Sequence, residues 1–116
     1  MYEEETRRRP VMKSRELILA AADLIEQPGC WTQEVLARDK KGDPINPTSP
    51  QAVRWCAIGA IRKIGGDDEL AIALAISRLR DIATWNDQPE RSAAQVAARL
   101  RSIARAKGPQ RRTSSV

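Results

Sequence analysis

The stretch from Ala52 to Ile64, AVRWCAIGAIRKI, constrains the fold of this 116-residue chain more than any other. Val53, Cys56, Ala57, Ala60, Ile61 and Ile64 recur at the offsets of an amphipathic helix. Ala52, Trp55 and Gly59 make a second apolar face with Ile58 beside it, so that Arg54, Arg62 and Lys63 alone are left to meet water. A helix apolar on two sides is enclosed by other elements. Residues 52–64 are therefore expected to form a buried central helix. Gly59 in its interior costs about 1 kcal/mol relative to Ala, which predicts that a neighbouring backbone passes close by.

The rest of the chain arranges itself around that segment. Residues 1–13 show a block of acid and a block of base without periodicity and read as a tail. Ser14 stands where an N-cap belongs, and Leu17, Ile18, Ala21, Leu24 and Ile25 form a helical stripe that Pro28-Gly29 ends. Periodicity is then lost. Asp39 to Pro44 is turn chemistry, and a short hairpin over about 33–45 is expected, a brief helix over 32–38 being the competing reading. Ser49 and Pro50 suit the start of the central helix, and Gly65-Gly66 stops it.

Asp67, Asp68 and Glu69 open the next helix at the positive end of its dipole. Its apolar arc runs from Ala71 to Ala83. Leu70 and Leu74 lie off that arc, which predicts cover on both sides of the first half, while Arg78 and Asp81 are expected in solvent. Ser92 with Gln95 is a capping-box pair, and Val96, Leu100 and Ile103 give the last helix its stripe before Gly108-Pro109. The expected architecture is mainly α: about four helices in a single domain over 14–107, with tails at 1–13 and 108–116. With aromatic residues at 3% and no Phe, aliphatic side chains must do most of the packing.

Charge is unevenly placed. From Gln88 onward seven basic residues stand against Glu90 alone, so this segment carries +6 of a total of +5 and the remainder is slightly acidic. No apolar run is long enough to span a bilayer. The Arg7–Arg9 start lacks the cleavage region of a signal peptide. A cytoplasmic protein is expected, with Cys30 and Cys56 as reduced thiols.

Catalytic constellations are missing. The chain has no histidine, the commonest general base and metal ligand. Two distant cysteines do not meet zinc spacing. Asp39 and Asp43 flank Gly42, but a calcium loop needs more oxygen ligands, and Lys40 and Lys41 repel a cation. No catalytic residue, cofactor or metal is therefore expected. Cys56 reads as a small core residue, and Cys30 is the more accessible thiol.

The combination of WCAIGAI at Trp55 to Ile61 with WND at Trp85 to Asp87, with CWTQ at Cys30 to Gln33 and the D-x-x-G of Asp39 to Gly42, resembles a family of small uncharacterised proteins of bacteria and bacteriophages. That resemblance implies a small, mostly helical domain with no assigned activity, and adds a phage or mobile-element setting. The function read from the residues is a cytoplasmic interaction or regulatory module that contacts an unidentified protein partner through Trp85, Asn86, Asp87 and Trp31. The plainer reading makes Trp85 a core closure and Asn86 and Asp87 the end of a helix and the start of a turn. The alternative function is nucleic-acid association through Arg99, Arg101, Arg105, Lys107, Arg111 and Arg112. A helix-turn-helix at Gly65-Gly66 is disfavoured, because Asp67, Asp68 and Glu69 would face phosphates.

Overall fold

The computed structural model describes residues 12–106. Five helices and one two-stranded sheet follow in the order α1 (Ser14–Glu26), β1 (Ala37–Arg38), β2 (Arg54–Trp55), α2 (Ala57–Gly65), α3 (Glu69–Ser77), α4 (Ile82–Asn86) and α5 (Ala93–Arg105). The fold is mainly α with a short hairpin, as expected. Of the segments read as tails, Met12 packs against the core and Lys13 is the N-cap of α1; the remainder of both lies outside the described residues.

Helix α1 is the shared wall of the core. It packs against α5, α2 and α3, and Leu17, Ile18, Ala21, Ala22 and Ile25 on its inner stripe are fully buried. Against it α5 presents Val96, Ala97, Leu100 and Ala104, also buried. The small alanines let the two axes approach, while Leu100 and Ile18 fill the space between layers. The Ser92–Gln95 capping box forms as expected: Ser92 N donates to Gln95 Oε1 at 3.0 Å, and Gln95 N to Ser92 Oγ at 3.2 Å. Ser14 is the first helical residue rather than the cap. Its hydroxyl accepts from Arg78 Nη1 at 3.1 Å.

The central helix is shorter than its apolar pattern suggests. It starts at Ala57, with Cys56 as N-cap, instead of at Ala52. The reason lies in hydrogen bonds to distant residues. Val53 N donates to Arg38 O, Trp55 N to Cys30 O and Cys56 N to Leu36 O, at 2.9, 2.8 and 3.1 Å. The bonds to Arg38 and Leu36 hold β2 antiparallel to β1, with Ala37 opposite Trp55 and Arg38 opposite Arg54, while the bond to Cys30 makes a parallel bridge between Trp55 and Trp31. Val53, placed on the stripe by its spacing, is exposed. Arg38 also bridges antiparallel to Pro44, and the tight turn between them is closed by Asp39 Oδ1, which accepts from Lys41 N and Asp43 N at 2.9 and 3.0 Å, with Gly42 at φ +91°.

The expected burial nevertheless holds. Trp55 is 6% exposed and donates its indole N–H to Pro47 O at 2.9 Å. The close approach at Gly59 is also present: a Cβ there would overlap the Leu36 carbonyl, a main-chain group that cannot swing aside. Gly59→Ala should therefore reverse the ordinary helix preference. Instead of gaining about 1 kcal/mol, the variant is expected to lose about 1–3 kcal/mol, the usual range for overpacking. A urea titration of both proteins reads the sign.

The apolar arc after Gly65-Gly66 is two helices, not one. Asp81 at φ +59° breaks it, a left-handed conformation that Asp tolerates better than most residues. The break turns α4 across the N-terminal end of α2 while α3 stays on α1 and α2. Arg78 is held rather than solvated. Besides Ser14, it donates from Nη2 to Ile103 O at 3.1 Å, Ala104 O at 3.4 Å and Ala106 O at 3.5 Å, closing the C-terminal end of α5. Leu70 and Leu74 are also not covered. They are 56% and 48% exposed on the outer face of α3.

Candidate functional site

The break at Asp81 brings the WND segment against CWTQ and the start of α2. Asn86, the last residue of α4, is 1% exposed. Its Oδ1 accepts from Trp31 Nε1 at 2.9 Å and from Ala57 N at 3.1 Å, one of the free donors at the N-terminal end of α2. Its Nδ2 donates to Thr32 O at 3.2 Å and to Asp87 Oδ1 at 2.9 Å. A side-chain amide has two donors and two acceptor sites, and all four are engaged.

Neighbouring residues extend this network. Gln33 Nε2 donates to Asn86 O at 2.9 Å and Gln88 O at 2.8 Å. Glu34 N donates to Asp87 Oδ1 at 2.8 Å. Arg38 ties the same loop to the hairpin, donating from Nε to Thr32 Oγ1 at 2.7 Å, from Nη1 to Gly42 O at 2.8 Å and from Nη2 to Gln33 O at 3.2 Å. Trp85 is half-buried, with the Arg91 guanidinium 3.6 Å from its ring centroid and that of Arg99 at 5.5 Å. Trp31 is half-buried and Asp87 exposed. Gln33 is legible only as part of CWTQ, and Glu34, Arg38 and Arg91 carry no signal in the sequence: Glu34 meets the remote Asp87, while Arg38 and Arg91 bond loop groups four to six residues away whose placement no periodicity reveals.

Beside this network lies a groove of about 320 Å³. Val35, Leu36, Ile58 and Ala83 make it apolar, and Glu34 and Asp87 add two carboxylates. Glu34 sits at φ +74°, a costly conformation for a residue with a side chain, and its N–H bond to Asp87 holds it there. Cys56 also lines the groove, but its thiol accepts from Gly59 N at 3.3 Å, and burial pushes its pKa up. Both cysteines are free thiols. Cys30, half-buried at a loop, should react with a disulfide reagent at least about tenfold faster than Cys56, because the thiolate is the attacking species. Timed labelling of the native protein, with site assignment by mass spectrometry, checks this.

The basic residues of α5 are divided among different tasks. Arg101 bridges to Asp23 at 2.8 Å and Glu26 at 2.7 Å on α1. This pairing raises the pKa of the guanidinium and holds the Glu26 carboxyl below its ordinary value. Arg99 lies by Trp85, and Arg105 is exposed. Lys107, Arg111 and Arg112 lie outside the described residues.

Fold and site together define a small α-rich domain locked by a buried asparagine, with an apolar, acid-rimmed groove alongside. The chain belongs to DUF6197, a family of unknown function, which matches residues 10–106. The resemblance carried by the tryptophan motifs thus holds at the level of an uncharacterised domain family. No curated protein and no solved structure matches the chain. Among the described residues, no helix is long and apolar enough to cross a membrane.

Proposed function

We propose that this domain is a protein-interaction or regulatory module whose docking site is the groove between the Glu34–Leu36 loop and α4. The observation that carries this reading is the strained Glu34 backbone, locked to Asp87 at the edge of an apolar cleft. Strain of this kind persists only where the surroundings enforce it, and it clusters at binding sites. Two carboxylates around an apolar floor complement a segment carrying Lys or Arg next to an aliphatic side chain. Trp31 and Asn86 serve as the frame, and Asp87 and the exposed edge of Trp85 flank the contact. A cytoplasmic setting agrees with two free thiols, and a phage or mobile-element context is what the motif resemblance implies.

A displayed library of random peptides, panned on the full chain, tests the reading. Enrichment of sequences pairing Lys or Arg with a neighbouring aliphatic residue is expected. Ala83→Arg, at an exposed position lining the groove, should abolish it with the fold intact by circular dichroism. Enrichment that survives Ala83→Arg, or none at all, overturns the proposal. Nucleic-acid association through the basic 88–116 segment is the competing reading, favoured by its +6 charge. It predicts binding to a labelled DNA duplex that falls steeply with salt and weakens with Arg105→Glu.

A further inference from the structure

The outer face of α3 carries a pattern of its own. Leu70, Ala73, Leu74 and Ser77, at offsets i, i+3, i+4 and i+7, are all exposed. Leu70 and Leu74 are the two most exposed large apolar side chains among the described residues. The one hydroxyl on this ridge is turned inward, since Ser77 Oγ donates to Leu74 O at 2.7 Å, so the surface offers little polarity to water. At its N-terminal end stand the exposed carboxylates of Asp67 and Glu69; beyond its C-terminal end stands the exposed Arg80. Acid at one end of the helix, an apolar ridge along it, and Arg80 past the other end before the exposed Asp81 of the break complement the same order reversed.

From this we infer that α3 is the contact of a homodimer, two copies of the chain packing antiparallel about a twofold axis that passes between Ala73 and Leu74. A twofold interface must be self-complementary, and this ridge satisfies that condition in only one direction. Antiparallel packing sets Leu70 against the partner's Ser77 and Asp67 near the partner's Arg80. Parallel packing would place acid on acid and base on base. Ala73 at the axis admits close approach, with Leu70 and Leu74 filling the space on either side. A nine-residue helix is about 14 Å long, so the contact is smaller than that of a permanent dimer, and association is reversible. The surface is separate from the Glu34–Asp87 groove and does not depend on the reading proposed for it.

Sedimentation equilibrium of the full chain, over concentrations rising into the millimolar range, tests the inference. The apparent mass should climb from the 12.9 kDa of one chain towards twice that value. Leu74→Arg, at an exposed site that spares the core, should hold the protein monomeric with its helical circular dichroism unchanged. Asp67→Arg and Arg80→Glu should each weaken association several-fold by placing like charges together. The double variant should recover most of that loss, because the exchanged charges pair again across the axis. A wild-type protein that remains monomeric throughout, as it would if another segment or a different protein covered this face, overturns the inference. So does a dimer indifferent to Leu74→Arg, or a double variant no better than its parents.

Discussion

Trp55→Ala is expected to lower the free energy of unfolding by about 3–5 kcal/mol, the range for truncating a large aromatic side chain in a core. Trp55 is buried where β2 meets the start of α2, and it is the largest side chain in the main core cluster. Its indole N–H also satisfies the Pro47 carbonyl, so truncation leaves both a void and an unpaired acceptor. A small domain has roughly 5–15 kcal/mol in total, so the variant should stand close to the edge of folding. Trp55→Phe is the intermediate case: it keeps part of the bulk, loses the Pro47 bond and part of the ring volume, and should cost about 1–3 kcal/mol. Urea midpoints of the three proteins give the ladder. A Trp55→Ala loss under about 1 kcal/mol would show that this residue does not organise the core.

The second large effect is expected at Asn86. Asn86→Ala removes an acceptor from the Trp31 indole and from the Ala57 amide, and a donor from the Thr32 carbonyl. Each buried group left unmatched costs about 1–3 kcal/mol. Water can reach the half-buried Trp31, so a total of about 3–4 kcal/mol is expected. Because the network joins the loop after α1, the start of α2 and the end of α4, the loss should appear in hydrogen exchange as faster opening of all three together. Asn86→Asp keeps both accepting bonds but turns a donor into an anion beside Asp87. It should match the alanine variant at neutral pH and recover on acidification, as the added carboxyl regains a proton. Denaturation of Asn86→Ala, Asn86→Asp and the parent at pH 7 and pH 4 provides the comparison.

Much of the scaffold is legible in the residues themselves. The stripes of α1 and α5, the Ser92–Gln95 cap and the turn at Asp39 to Pro44 rest on bonds between residues a few positions apart, and local chemistry decides them. Gly59 is informative on different grounds: a glycine inside a helix needs an explanation, and the remote Leu36 carbonyl supplies it. The start of the central helix was not legible. AVRW suits a buried strand as well as a helix, and the deciding acceptors on Cys30, Leu36 and Arg38 lie far back along the chain. The break at Asp81 carries neither Gly nor Pro, and an apolar pattern running through it conceals the change of direction. That same all-round apolarity made Leu70 and Leu74 look enclosed. At the candidate site, the motif residues Trp31 and Asn86 could be singled out, but their mutual bond could not. The positive φ of Glu34 has no signature in residue type at all.

Arg78 has a practical corollary for engineering. One guanidinium spans Ser14 and the carbonyls of Ile103 and Ala106, so the two ends of the described segment lie side by side. Residues 12–106 could be spliced into a surface loop of an unrelated host without prising that loop apart. Such a graft would display the Glu34–Asp87 cleft from a carrier of choice.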